Sequence, residues 1–547
     1  MKILFVATRK NSDPADRELY EMDFMNELLG FKRSLLDLGI VTVAACTPDD
    51  VEVELIDEYL EPINYDTDAD LVALSAKTSC VAHAYEVAAQ FKRRGVPVVL
   101  GGIHASLRPD EALEHVDYVV IGEAEETWPR WVELFRKGEA PRKMAQGPFP
   151  AMENIPVPAW DKLDYGDFLF HQIQTTRGCP FMCRFCSVPD ISGNAFRFKP
   201  VENVIKEIRA FPKSGLLKDK MKALYFVDDN FISRVKYTKD LLTALVPLYK
   251  SGELGEWSAE TTLNVCRDEE LLDLFRDAGC STLIIGIESI SEATLLAMDK
   301  KVNFCVGYQE ALEAIHSRGM SVVGNFIVGF DTDTIGVFKD IIDFVDDNNI
   351  LYPFFSILTP MPGTKLHEDY KNDGRLDHTN WGEYDTRHVT MKPTHITREQ
   401  LMDGYIWMYE QAYRSTKALD RLERYWTKYR TRRSSFVENT FIKWRLRKFK
   451  NAGTPEFREF VDAGWQRLTK KGINSDVGQL IYYLDSAHFI DYMQQFKSDN
   501  YEQNARIFSG EIDAPVVDEE LEKKQWEARK VKKRRQKTAG DAVAATP

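Results

Sequence analysis

Thr176-Arg177-Gly178-Cys179-Pro180-Phe181-Met182-Cys183-Arg184-Phe185-Cys186 sets three cysteines in a C-x3-C-x2-C pattern. Thiolates are soft ligands suited to iron–sulfur clusters and to zinc. An electron-transferring [4Fe–4S] cluster usually takes one cysteine on each iron. Three neighbouring thiolates leave one iron open, and an open iron can bind a substrate or cofactor. A closed structural zinc site is the competing reading. It needs a fourth ligand, for which His171 is the nearest histidine, and such sites usually pair two short knuckles.

Working outward, the chain has 547 residues, of which 44% are hydrophobic and 29% charged. That length predicts several domains with sizeable cores. A net charge of -14 argues against a nucleic-acid-coating surface. No apolar run is long enough to cross a bilayer, so no transmembrane helix is expected. Met1–Ala7 is too short for a secretory signal and reads as a first strand. The expected location is the cytoplasm, where disulfides are rare and clustered cysteines bind metal. Cys46, Cys80, Cys266, Cys280 and Cys305 read as small apolar core residues.

Residues 1–140 alternate strands and helices. The strands are Ile3–Ala7, Leu71–Ala76, Val96–Leu100 and Tyr118–Ile121; the helices are Phe24–Leu38, Ala82–Arg93 and Glu125–Phe135. This order predicts an α/β domain with a parallel sheet, whose ligands lie beyond the strands' carboxyl ends. Gly101-Gly102 and Gly122 fall there and would admit a close backbone approach. Proline-rich residues 141–170 read as a surface linker. Strands then resume at His171–Thr176, Ala223–Val227, Glu256–Glu260, Leu283–Ile287, Val322–Val328 and Phe354–Leu358. Helices are expected at Val201–Ala210, Tyr237–Tyr249, Glu269–Ala278, Cys305–Arg318 and Asp333–Asp346. Six such units predict a partial (β/α)6 TIM-type barrel over 171–394, with the cysteines after its first strand, where barrel chemistry sits. Residues 395–514 read as a mostly helical C-terminal domain, opening with Glu399–Tyr413 behind a Thr397 cap. Trp426–Phe449 reads as a packed aromatic and basic helix, or as an amphipathic surface for lipid or a hydrophobic substrate. Residues 515–547, with the Lys523–Lys537 run, read as a basic disordered tail.

The cysteine motif, with Phe185 before its last cysteine, resembles the radical S-adenosylmethionine (SAM) superfamily. Phe226-Val227-Asp228-Asp229-Asn230, Leu283–Ser289, Gly324–Phe330 and Pro360-Met361-Pro362-Gly363-Thr364 resemble that family's strand-end motifs. The block ahead of the barrel is similar to a Rossmann-like cobalamin-binding domain, through Ala69–Ser75, Gly101–Ala105 and Gly122–Thr127. The resemblance covers about residues 1–415 and is to the class B methylase-like branch. It implies a [4Fe–4S] cluster on Cys179, Cys183 and Cys186. It implies SAM contacts from Phe185, Asp228, Asp229, Asn230, Glu260, Glu288, Ser289 and Val328. It implies cobalamin contacts from Ser75, Gly101, Gly102, His104, Gly122 and Glu123. The Asp-x-His-x-x-Gly motif that supplies cobalt's lower ligand elsewhere is absent; Asp57-Glu58-Tyr59-Leu60-Glu61 stands near that place.

The implied activity is C-methyl transfer to an unactivated carbon. One SAM methylates cobalamin, and a second yields the 5′-deoxyadenosyl radical that takes a hydrogen from the substrate. Ring formation, carbon coupling or rearrangement without methyl transfer is the alternative. A methylthiotransferase would need more N-terminal cysteines than Cys46 and Cys80, and a non-catalytic sensor has no need of an open iron. The expected partners are a small-molecule or lipid-like substrate and a flavodoxin- or ferredoxin-type electron donor. Peripheral membrane contact is compatible with the sequence; nucleic acid is not expected.

Overall fold

The structure, a computed structural model, describes residues 1–11, 26, 30–213, 222–300, 302–303, 307–429 and 489–513. Most of Trp426–Phe449, all of 515–547, Cys305, and residues 24–25 and 27–29 of the Phe24–Leu38 helix reading lie outside the described residues.

The first sheet contains β1 (Lys2–Ala7), β2 (Glu52–Asp57), β3 (Leu71–Ser75), β4 (Val98–Gly101), β5 (Tyr118–Ile121) and β6 (Lys143–Ala145). Its order is β2-β1-β3-β4-β5-β6, and all pairs are parallel. Buried Ile3, Phe5, Leu71, Ala73 and Val99 pack on one face, and Leu4, Val6, Val72, Leu74 and Leu100 on the other. Two-sided burial explains the continuous apolar runs of the central strands. The strand order reverses between β1 and β3, the point where doubly wound sheets bind ligands. A cavity lined by Ala7, Thr8, Asp37, Tyr59, Ser75 and Lys77 opens there.

Two expectations for this domain change. Residues 31–37 are irregular, and the helix spans Leu38–Ala45, capped by Asp37, whose carboxylate accepts from Ile40 N at 3.2 Å. The sheet also runs past residue 140, because β6 pairs with β5 inside the stretch read as a linker. The remainder of that stretch is anchored by buried Trp160, Tyr165 and Phe168.

The second sheet contains β7 (Phe170–Ile173), β10 (Ala223–Phe226), β11 (Trp257–Thr261), β12 (Cys280–Glu288), β13 (Ser321–Val328) and β14 (Tyr352–Ile357), in chain order and all parallel. A two-residue antiparallel ribbon, β8 (Thr176–Arg177) with β9 (Arg197–Phe198), frames the cysteine loop. Helices Val201–Arg209, Val235–Ser251, Glu269–Asp277, Tyr308–His316 and Val337–Asp347 alternate with the strands. The described part of the C-terminal region shares the barrel's core instead of forming a separate unit. Tyr405, Met408, Tyr413, Tyr425 and Phe508 pack in one cluster with Phe226, Trp257 and Phe355. Helix Arg398–Tyr413 starts with a capping box between Thr397 and Gln400, as the Thr397 signature predicts.

A strap after the barrel, around residues 376–391, crosses back to the first domain. Trp381 and Tyr384 belong to that domain's core cluster. Trp381 Nε1 donates to Glu111 Oε1 at 2.6 Å, and Lys10 Nζ lies 2.8 Å from Asp385 Oδ2, both side chains being buried.

Candidate active site

The cysteine loop begins one residue past Arg177 and is tied at its root. Buried Asp228, just past β10, accepts from Thr175 N at 2.6 Å, Thr175 Oγ1 at 2.7 Å and Thr176 N at 2.6 Å. Burial pushes its carboxyl up to about 7, against the pull of those donors. Asp229 Oδ2 accepts from Gly178 N at 3.1 Å, and burial raises its carboxyl as well. Gly178 sits at φ +86°, and a Cβ there would overlap the Ala195 carbonyl and meet Ser192 O at 2.9 Å. Only glycine fits that crossing of backbones.

Cys183 is buried and Cys179 and Cys186 are half-buried. Burial raises all three thiols, Cys186 to about 12. The protein alone therefore keeps them protonated, and a bound metal must displace the protons. Among the described residues no three metal-binding side chains converge as a single ion requires. Three thiols on one short loop are a donor set that fits an iron–sulfur cluster, each thiolate taking a separate iron.

Opposite the loop stands the end of β12. The strand bulges between Gly286 and Glu288, and Glu288 has φ +62°. Bulges of this kind re-aim side chains beside active sites. The Glu288 carboxylate pairs with Lys300 Nζ at 3.0 Å, both side chains being largely buried. Burial works against the Lys300 ammonium, but Glu288 and the neighbouring thiols Cys183 and Cys186 hold its pKa above the usual lysine range. A Cβ on Gly286 would overlap Glu288 and meet Lys300 Nζ at 3.1 Å, so the missing side chain makes room for the pair. Asn303 Nδ2 donates to Gly286 O at 3.1 Å and Ile287 O at 2.8 Å, satisfying the bulged carbonyls.

Glu260, at β11, accepts from the Tyr225 hydroxyl, and burial raises its carboxyl. Asn230 is buried, and its Oδ1 has no hydrogen-bond partner among the described residues. An orphaned acceptor beside buried carboxylates suits a cationic, hydroxyl-bearing ligand such as SAM. Phe185 lies 6.3 Å from Phe330, ring centre to ring centre. Ser289 is buried and accepts from Ser291 N at 3.1 Å. The Val328 side chain is in the core and its carbonyl accepts from Leu358 N at 2.8 Å. Val328 therefore marks a strand end without offering a polar group. Lys300, Thr175 and Asn303 were not signalled by the sequence: they stand outside the strand-end motifs.

The first domain presents the carboxyl ends of β3, β4 and β5 to this loop. Helix Ile103–Leu107, after β4, packs against helix Val188–Ser192, after the cysteines. Ser75 Oγ donates to Asp37 Oδ2 at 3.1 Å. Gly101 ends β4. Gly102 has φ +90°, and a Cβ would meet Ala76 O at 3.0 Å and Ser75 Oγ at 3.2 Å. Gly122 has φ +85° and donates to Ser106 Oγ at 2.9 Å. Ile103, at the start of the helix after β4, and Met182, in the cysteine loop, remain 42% and 60% exposed.

Glu123 and His104 point elsewhere than the cobalamin reading expects. Both oxygens of Glu123 engage guanidinium groups of the barrel: Arg177 Nη1 at 2.7 Å, Arg197 Nη1 at 2.9 Å, and Arg197 Nη2. His104 is fully buried, with Nδ1 3.4 Å from Thr78 Oγ1 and Nε2 3.5 Å from Glu111 Oε1. His83 is held by Glu58 and Glu86 at 2.8 and 3.2 Å. His115 stacks on Tyr85 at 3.9 Å, ahead of β5 and so at its amino end.

Comparison with known proteins agrees with this architecture. Residues 173–345 match the radical SAM superfamily and residues 31–131 the B12 binding domain. The chain is 30% identical over 378 residues to the bacteriochlorophyllide d C-8(2)-methyltransferase of Chlorobaculum tepidum, covering 66% of this chain and 82% of that one. It is 30% identical to the hopanoid C-2 methylase of Rhodopseudomonas palustris, covering 62% of this chain and 65% of that one. The solved cobalamin-dependent SAM radical enzyme OxsB, with aqua-cobalamin and SAM bound, has the same fold at a TM-score of 0.55 and 15% identity, over 96% of this chain and 83% of that one.

Proposed function

The chain belongs to the radical SAM superfamily, in the branch with a B12-binding domain ahead of the barrel, and we propose that it is a C-methyltransferase acting on an unactivated carbon of a large, apolar small molecule. The observation that carries this reading is the seam. The helix after β4 packs against the helix after the cysteines, and Glu123 after β5 pairs with Arg177 before them, so the two cofactor sites would face each other. The activities named for the bacteriochlorophyllide and hopanoid relatives support methyl transfer and an apolar acceptor.

When bound, the cluster, SAM and cobalamin supply a 5′-deoxyadenosyl radical and a transferable methyl group. The protein's part is to hold and orient. Cys179, Cys183 and Cys186 would each take one iron. Lys300 would meet a carboxylate of the ligand, while Glu260 and Asn230 would accept from its ammonium or hydroxyl groups. The Ser75, Gly102 and Gly122 strand ends would lie against the corrin, with Ile103 and Met182 keeping water from the space between. A flavodoxin- or ferredoxin-type protein would supply electrons in the cytoplasm. Among the described residues no helix is long and apolar enough to cross a membrane.

The test is anaerobic reconstitution with iron, sulfide, cobalamin, SAM and a strong reductant, followed by mass spectrometry on candidate tetrapyrrole and polycyclic lipid acceptors. Methyl transfer requires 5′-deoxyadenosine and S-adenosylhomocysteine in equal amounts with an acceptor heavier by one methylene. Turnover that gives 5′-deoxyadenosine without S-adenosylhomocysteine would replace this reading with ring closure or rearrangement. Cys179→Ala, Cys183→Ala and Cys186→Ala should each abolish 5′-deoxyadenosine formation.

A further inference from the structure

We propose that Glu123, Glu125, Arg177 and Arg197 form an ion lattice that fixes the spacing between the two cofactor sites, and that Glu123 is a positioning residue and not a cobalamin contact. The proposal rests on the two-cofactor reading of the seam. Glu123 is two residues past β5, in the first domain. Arg177 is two residues before Cys179, in the barrel. Each therefore sits on a short, stiff tether to a strand end that bears a cofactor.

The lattice is directional, and among its buried atoms only Arg197 Nε and Glu125 Oε2 lack a hydrogen-bond partner among the described residues. Arg177 gives Nη1 to Glu123 at 2.7 Å, Nη2 to Glu125 at 2.6 Å and Nε to Gln174 at 2.7 Å. Arg197 grips both Glu123 oxygens and donates to Ser192 O at 3.0 Å and Pro150 O at 3.1 Å. The two glutamate side chains are each 8% exposed, Arg177 12% and Arg197 19%. A planar guanidinium binding in this forked way fixes orientation as well as distance. Buried ion pairs add little net stability over an apolar contact of similar shape, but breaking one is costly. Here they hold the two sheets in one register, and the Gly178–Asp229 bond carries that register into the cysteine loop.

The test uses Glu123→Gln in the full chain. In the cofactor-free protein, amide hydrogen exchange over residues 174–179 and 122–126 should quicken by about tenfold, as local opening becomes easier. The iron content, and dithionite-driven 5′-deoxyadenosine formation without cobalamin, should stay within about twofold of wild type. With cob(II)alamin loaded, the dipolar coupling between cobalt and the reduced cluster, read by pulsed electron paramagnetic resonance, should weaken and broaden. Adding Arg197→Gln should do no further harm, because both substitutions break the same lattice. Wild-type exchange and coupling in Glu123→Gln would overturn the proposal. So would unchanged exchange with lost cobalamin affinity, which would make Glu123 a cofactor contact. Parallel loss of iron or SAM cleavage would reduce the lattice to a folding role. If Glu123→Gln does not fold, Glu123→Asp, which keeps the charge on a shorter arm, must shift the coupling, and an unshifted value overturns the proposal. The exchange arm needs no cofactor, so it judges the lattice even if the chain proves not to bind cobalamin.

Discussion

Gly178 joins the ion lattice to the metal loop through a crossing of two backbone segments. Its φ of +86° and the carbonyls of Ala195, Ser192 and Gly193 around the missing Cβ leave no room for a methyl group. Gly178→Ala should cost about 1–3 kcal/mol in backbone strain alone. The cost should appear as poor iron incorporation on reconstitution, with the far-UV dichroism of the fold retained. Glu288 and Lys300 make a different prediction. They touch the ligand space without providing a thiolate, so Glu288→Gln and Lys300→Met should leave the iron count intact. Equilibrium dialysis of SAM should show about tenfold weaker binding, equivalent to roughly 1.4 kcal/mol. Unchanged affinity in both would remove them from the SAM site. The cysteine loop stands out in the sequence because cluster chemistry needs a fixed local spacing. Lys300 does not: it meets Glu288 from twelve positions further along, through a bulge that no local pattern announces. His104 is read from the sequence as a ligand contact because it follows Gly-Gly; the chain turns there into a short helix that buries it.

The turns at the strand ends carry the site, and their geometry depends on buried carboxylates. Asp333 accepts from Gly329 N at 2.9 Å and Phe330 N at 3.0 Å, holding the turn after β13 that sets Phe330 near Phe185. Burial pushes its carboxyl up to about 7, with Asp331 adding to the rise. A raised carboxyl pKa means that the folded state favours the proton. The contribution is full below the unfolded value near 4 and is lost as pH rises through about 7. Thermal unfolding of wild type should therefore lose ground to Asp333→Asn between about pH 4 and pH 7, and a parallel pair of curves would refute this titration. The central strands were legible because burial on both faces makes them continuous apolar runs. The two strands missed, β2 and β6, are the edges of the first sheet. Glu52–Asp57 carries charged residues at its exposed positions, and Lys143–Ala145 is only three residues long. Edge strands lack the two-sided burial that a sequence pattern reports.

At the scale of the molecule, the two sheets are joined by two unlike contacts. The ion lattice meets the cluster loop, and the strap inserts Trp381 and Tyr384 into the first domain's apolar core. No periodicity in residues 376–391 marks the strap, because its aromatics satisfy a core that is remote in sequence. This joint makes the cobalamin domain's stability depend on the barrel side of the chain. Trp381→Ala would remove a ring packed 5.1 Å from His104 and 4.8 Å from Tyr384, and would leave Glu111 without its indole donor. A loss of about 3–5 kcal/mol is the usual scale for such a truncation. It should fall on one domain: the cluster's absorption and cobalamin-free SAM cleavage persist, while cobalamin retention on gel filtration falls and a separate early unfolding transition emerges. The barrel's own core, running from Phe226 and Trp257 to Tyr405 and Phe508, takes in the strap's ends at Leu376, Val389 and Met391 but neither Trp381 nor Tyr384, so loss of the Trp381 ring gives it no reason to follow. If cluster content and cobalamin retention fell together, the two halves would be one cooperative unit, and the strap would be part of a shared core instead of a clamp between two.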